Sequence, residues 1–325
     1  MPIKIKVLIA ASVFILALAV YAYLTPQAQT TPQNLSIKHS TFDGYPALFN
    51  VTYCTMGGER LLMDIVLPGK PGPSPRPFVL YVHGGGWTMG GRSDLGYFNL
   101  KLLSEGYAVG TLDYRLAPQY KFPAQIEDVK CAIRFVRKNA ALIGVDPNKI
   151  AADGSSAGGD LVSLLGLTNS SMWDVGPYAN VSDNVSAVVD EFGPSNITSF
   201  LYYNASPGMR AYYDGIFSEV FASSPELLSQ ASPVNHVTGN APPFLIIQGL
   251  QDSTVPYNQS VQLYNLLVSA GDTANIILVE NAGHMLVQVG PNPISPSMDS
   301  LNATVANFLN EHLGWNATLQ KFTGG

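Results

Sequence analysis

The stretch from Ile150 to Leu167 constrains this chain more than any other. It runs from a short apolar strand, Ile150 to Asp153, through Gly154-Ser155-Ser156-Ala157-Gly158 and straight into an apolar helix, Gly158 to Leu167. So abrupt a turn brings backbone against backbone, which glycines at both ends permit. A short strand with no polar alternation is buried on both faces, the habit of parallel sheets covered by helices. The same alternation recurs along the chain. Phe78 to Val82, Tyr107 to Asp113, Val185 to Phe192, Phe244 to Gly249 and Ile276 to Glu280 read as further strands. Helices are expected from Pro123 to Asn139, with Ile126, Val129, Ile133 and Val136 as the buried stripe, from Tyr257 to Ala270, and from Met298 to His312. Leu48 to Cys54 and Leu61 to Leu67 read as an antiparallel pair joined through Gly57-Gly58, and the five prolines between Pro68 and Pro77 as a loop. The pattern predicts one α/β domain over 47–315, a mostly parallel central sheet with helices on both faces, then a short tail, 316–325. Residues 193–240 are too long for a simple crossover and are rich in Tyr and Phe. They read as a small cap-like insertion, either a wall of the site or a packed excursion with its own core.

The ends and the composition narrow the class. Lys4 and Lys6 precede an uncharged apolar run from Val7 to Leu24, followed by a Pro/Gln/Thr-rich linker. That order predicts a signal peptide or a membrane anchor over 1–24, a linker over 25–46, and an exported domain, extracellular or held at the outer face of the membrane. Ten Asn-X-Ser/Thr sequons, from Asn34 to Asn316, fit the same compartment. Cys54 and Cys131 are the only cysteines, and either a disulfide or two buried thiols suits them. Nucleic acid is not an expected partner, because net charge is −6 and no basic cluster is present. Cys and His spacing suggests no metal, and oligomeric state is not legible.

The turn around Ser156 also carries chemistry. Gly-x-Ser-x-Gly between a strand and a helix lifts a serine hydroxyl onto a strained turn at the sheet edge, with helix N–H groups behind it. Ser155 lacks the flanking glycines at the required offset. His83-Gly84-Gly85-Gly86-Trp87 follows an earlier strand, and consecutive glycines leave N–H groups free to meet a developing oxyanion. Gly84, Gly85 and Ala157 are the expected donors, with Gly86 as an alternative to either glycine. A serine needs a base, and the base an orienting carboxylate. In the order Ser, acid, His, the best-placed pair is Asp252, just past the strand Phe244 to Gly249, and His284, in the loop after Ile276 to Val279. His236, His312, Asp190 and Asp272 are the rivals.

Taken together, HGGGW, Tyr114-Arg115-Leu116-Ala117-Pro118, Phe122-Pro123-Ala124 with Glu127-Asp128, and GSSAGG resemble the hormone-sensitive-lipase-like esterases of the α/β-hydrolase superfamily. Ala231-Ser232-Pro233-Val234, the run Ala241 to Ile247 and Asp252 to Pro256 are closer to a bacterial and archaeal branch that includes feruloyl and acetylxylan esterases. The resemblance covers roughly Leu48 to Leu313. It implies hydrolysis of a carboxylic ester, small or polymer-linked, through an acyl-enzyme, with no metal or organic cofactor. Short acyl groups are expected, since no long apolar lid helix is evident. Two departures stand out. No polar residue directly follows Gly249, and Asp160 occupies a position after the serine turn where a neutral residue or histidine is commoner; capping and solvating the helix start is its expected role. A serine exopeptidase on the same triad and a non-catalytic surface-binding module are the competing functions.

Overall fold

The computed structural model describes residues 40–69, 75–168, 171–200 and 207–315. The expected signal or anchor over 1–24, most of the linker and the tail 316–325 lie outside the described residues. No helix among those described is long and apolar enough to cross a membrane.

Nine strands form one sheet in the order β1-β2-β3-β5-β4-β6-β7-β8-β9. The first three, β1 (Ser40–Phe42), β2 (Tyr45–Met56) and β3 (Glu59–Val66), are antiparallel. β3 also runs antiparallel to β5 (Ala108–Leu112). From there β4 (Arg76–Val82), β6 (Val145–Ser155), β7 (Val188–Glu191), β8 (Phe244–Gly249) and β9 (Ala274–Val279) are all parallel. The Gly57-Gly58 turn places Met56 opposite Glu59, as the sequence predicts. Two findings differ at the edges. Strand β1 was not expected, being only three residues long, and β6 starts five residues earlier than Ile150, because pairing with Arg76 tolerates a register shift there.

Helices cover both faces. Residues of odd number in the central strands, Val79, Ala151, Val189, Leu245 and Ile247 among them, pack with α1 (Asn99–Ser104) and, near the C-terminus, the long helix Met298–His312. The opposite face carries α2 (Ala124–Lys138), followed by α3 (Ala140–Ile143), and α4 (Ala157–Leu167). Gly166 lets α4 approach this face closely, since a Cβ there would lie 2.7 Å from Val188 Cγ2. The insertion folds as α5 (Ile197–Phe200), α6 (Pro207–Phe221), α7 (Pro225–Gln230) and a 3₁₀ turn, Pro233–His236. The fifteen-residue α6 supplies most of the insertion's helix and includes Arg210, Asp214 and Glu219, so it is not a uniformly apolar lid. α8 (Asn258–Ser269) and α9 (Met298–His312) complete the order. A disulfide joins Cys54 of β2 to Cys131 of α2, so the first of the two sequence alternatives holds.

Candidate active site

Strand β6 delivers Ser156 at its carboxyl end. The residue has φ 54° and ψ −118°, in the sparsely populated region expected of a strained turn. Its N–H donates to Glu191 O at 2.8 Å, which fixes the turn against β7. A Cβ on Gly158 would lie 1.9 Å from Val82 O, and one on Gly154 2.4 Å from Gly158 O. Only glycine allows that approach, so the Gly-x-Ser-x-Gly spacing is a packing requirement as well as a chemical one. Ser155 points elsewhere, its Oγ 2.8 Å from Tyr81 Oη beneath the turn.

His284 and Asp252 meet Ser156, as the chain order suggests. His284 Nε2 lies 3.1 Å from Ser156 Oγ, and His284 Nδ1 lies 2.7 Å from Asp252 Oδ2. The carboxylate accepts, so Nδ1 carries the proton and Nε2 faces the serine as a base. Asp252 is buried and otherwise saturated. Its Oδ1 accepts the N–H groups of Thr254 and Val255, each at 2.8 Å, and Oδ2 accepts Gln248 Nε2 at 3.0 Å. The loops are tied together: Leu250 N–H donates to Val279 O and Gln251 N–H to Ala282 O. The rivals lie elsewhere. His236 bonds Gln230 O, His312 stacks on Phe308, and Asp272 accepts Ala241 N–H. Asp190 sits beneath α4, accepting from Ser163 Oγ and Gly193 N–H.

Gln248 was not legible as a site residue. Its signal was present, a lone polar side chain in the buried strand Phe244–Gly249. It answers the first departure noted in the sequence. The acid's side-chain partner comes from the residue before Gly249 rather than from the one after it.

The glycine loop is held from behind. Tyr114 Oη donates to His83 O at 3.1 Å, and His83 Nδ1 donates to Gly84 O at 2.7 Å. Burial pushes the His83 imidazole below its ordinary pKa, keeping it neutral for that role. With both carbonyls turned towards these groups, peptide planarity sends the N–H groups of Gly84 and Gly85 away from them. Gly84 is beside the serine, since a Cβ there would lie 3.2 Å from Ser156 Cβ. Tyr114 is placed in turn by Arg115, whose guanidinium pairs with Asp128 at 2.7 Å and Glu127 at 2.9 Å on α2. The Tyr114-to-Pro118 and Glu127-Asp128 motifs therefore support the loop.

Asp160 does not solvate the helix start. It is buried and accepts Trp87 Nε1–H at 3.3 Å. Burial, reinforced by nearby Asp190, holds its carboxyl well above the ordinary range, against the opposing Trp87 bond. That rise favours the uncharged carboxyl, in keeping with the neutral residue that is commoner at this position. Trp87 also packs on Phe217 and Phe221 of α6, with ring centroids 6.4 and 5.4 Å away.

These elements enclose a cavity of about 620 Å³. Gly84, Gly85, Ser156, Ala157 and His284 line it, as do Ile216 and Phe217 of the insertion. The insertion thus serves both readings open from the sequence: Phe217 faces the cavity, while Phe221 is fully buried against Trp87 and Phe122. Tyr202 and Tyr203, and the side chains of Tyr212 and Tyr213, lie outside the described residues. No cluster of His, Cys, Asp and Glu suited to a metal occurs among the described residues.

Residues 63–267, over half of the chain, match the BD-FAE family model. Esterase LipC of Mycobacterium tuberculosis is 36% identical over 206 residues, covering 61% of this chain and 50% of LipC. Esterase LipQ of the same organism is 30% identical over 233 residues, covering 70% of this chain and 55% of LipQ. The chain spans about half the length of these curated relatives. Among solved structures, a truncated carbohydrate esterase from gut microbiota superposes with a TM-score of 0.72 at 27% identity, covering 85% of this chain and 100% of that one. An esterase from Thermogutta terrifontis, at 22% identity and a TM-score of 0.66, covers 84% of this chain and 95% of its own, and shares the fold. Sheet order, serine turn and sequence match agree: this chain has the α/β-hydrolase fold and belongs to the BD-FAE family.

Proposed function

We propose that this protein is a serine carboxylic-ester hydrolase working through an acyl-enzyme, with Ser156, His284 and Asp252 as its triad. The observation that carries the reading is the continuous relay from Ser156 Oγ through His284 to a fully hydrogen-bonded Asp252. Ser156 Oγ attacks the ester carbonyl while His284 Nε2 takes its proton. The N–H groups of Gly84, Gly85 and Ala157 hold the oxyanion, a single donor of this kind contributing about 3 kcal/mol to transition-state stabilisation. The His284 proton then passes to the departing alcohol. Water, deprotonated by the same nitrogen, attacks the acyl-enzyme and releases the acid. Asp252 keeps its charge throughout and steadies the imidazolium.

Short acyl or aryl acyl groups fit best. A cavity of about 620 Å³ walled by Trp87, Phe200 and Phe217 suits a feruloyl-sized group more than a long chain. The gut carbohydrate esterase among the structural neighbours supports an ester carried on a carbohydrate as well. Export is part of the proposal. It is supported by the basic-then-apolar N-terminal run and by the Cys54–Cys131 disulfide, a bond that persists in oxidising compartments.

The test is a series of p-nitrophenyl esters from two to sixteen carbons, with methyl ferulate, on wild type and Ser156→Ala. Hydrolysis of the short or feruloyl esters, abolished by the substitution, is the expected result. Equal rates on the four- and sixteen-carbon esters would sink the short-acyl assignment, and full activity in Ser156→Ala would sink the mechanism.

A further inference from the structure

The cavity has two unlike halves, and sheet geometry explains why. Tyr81 of β4 pairs in register with Asp153 of β6, and alternate residues share a face. Tyr81, Asp153, Ser155 and Glu191 thus project to the α1 side, beneath the segment Asp94 to Tyr97 that leads into that helix. Trp87 turns the other way, to Asp160 of α4. Ser156 stands between the two, at the end of β6. One half, under the insertion, is apolar and aromatic. The other is built from Tyr81, Asp94 and Tyr97, and its only formal charge is a carboxylate.

That carboxylate is held by two hydrogen bonds and has no counter-ion among the described residues. Asp94 Oδ1 accepts Gly96 N–H at 2.9 Å, and Oδ2 lies 3.4 Å from the Tyr81 hydroxyl that donates to it. Asp94 is solvent-exposed, lines the cavity and forms no ion pair among the described residues. Arg92, two residues away, is engaged by Asp64 and Asp113. Among the described residues, no Lys or Arg lines the cavity. Behind the wall, Asp153 and Glu191 form a fully buried acid pair. Burial and then Asp153 drive Glu191 well above its ordinary range, and neither acid supplies positive charge. Tyr97, itself exposed, lines the cavity with Asp94, and an aromatic ring near a carboxylate is a combination that attracts an ammonium group.

We propose that this half of the cavity selects esters bearing a cationic group, an amine or quaternary ammonium, with Asp94 as the specificity-determining residue and Tyr97 as its aromatic partner. The inference rests on the ester-hydrolase reading and goes beyond it by naming the charge of the substrate.

The experiment compares kcat/KM for acetylthiocholine with that for its uncharged carbon isostere, 3,3-dimethylbutyl thioacetate, at low and high salt. Wild type is expected to favour the cation by about tenfold, the preference shrinking with salt. In Asp94→Asn, whose side-chain oxygen still accepts Gly96 N–H, the ratio is expected to fall to about twofold. Tyr97→Leu, tested separately, is expected to lower the same ratio. Equal rates on the two esters in wild type, or an unchanged ratio in Asp94→Asn, would overturn the proposal. So would a stronger preference for a monoacylglycerol than for the cation, which would make Asp94 a reader of hydroxyls. Cleavage of the neutral ester by wild type but not by Ser156→Ala tests ester hydrolysis separately. If neither ester is cleaved, hydrolysis and charge selection fall together.

Discussion

Gln248 donates its side-chain amide to Asp252 Oδ2 at 3.0 Å, the oxygen that also faces His284. Gln248 is itself oriented by Ser260, whose hydroxyl donates to Gln248 Oε1 at 2.9 Å. The acid is therefore held by a two-step buried chain from α8. A hydrogen bond to a charged group contributes about 1.5–3 kcal/mol. Gln248→Leu is expected to lower kcat about 10- to 100-fold with little change in KM, because the carboxylate loses a partner that fixes its aim at His284. Steady-state kinetics on a short p-nitrophenyl ester checks this, and an unchanged kcat would assign Gln248 to packing alone.

Asp160 links the glycine loop to the helix behind the serine. If its carboxyl serves as a neutral hydrogen-bond acceptor for Trp87, the isosteric amide replaces it. Asp160→Asn is expected to keep kcat within about threefold, whereas Asp160→Leu leaves the indole N–H buried and unpaired, costing about 1–3 kcal/mol. The loss is expected in kcat, through displaced oxyanion donors, and in thermal stability. Equal kcat values for the two variants would refute a positioning role.

Burial pushes the Asp190 carboxyl up to about 6, against the bonds from Gly193 N–H and Ser163. Its ordinary value is 3.8. A group held above its unfolded-state pKa contributes stability that is full below that value and disappears as pH rises through the folded one. The difference amounts to about 3 kcal/mol. Asp190→Asn removes the titration while keeping an acceptor for Gly193. Between pH 4 and pH 7 the variant is expected to gain stability relative to wild type. Urea melts across that range test it, and a pH-independent difference would contradict it.

The Cys54–Cys131 disulfide closes a loop of 77 residues between β2 and α2. Chain-entropy arguments give about 4 kcal/mol for a loop of that length, with native strain able to reduce it. Cys54→Ser with Cys131→Ser is expected to lower Tm by several degrees, and a reducing agent to lower the wild-type Tm similarly. An insensitive wild type would mean that the two thiols are unpaired.

Ser156, Asp252 and His284 were legible because their chemistry demands local signals: glycines where backbone passes backbone, and polar residues just beyond apolar strands. The parallel sheet was legible because strands buried on both faces lose their polar alternation. The sequence by itself thus determined the fold class, the serine turn and the glycine loop. Tertiary structure alone decided the partners that no spacing encodes. Gln248 bonds Asp252 from within a strand, and Asp160 meets Trp87 across 73 positions. It also decided that Asp160 is buried, that Cys54 and Cys131 pair, and that α6 walls the cavity. The physical reason is that local sequence limits backbone conformation and solvent preference. Which polar atoms share a buried site depends on strand order and register, and these emerge only when the whole sheet has formed.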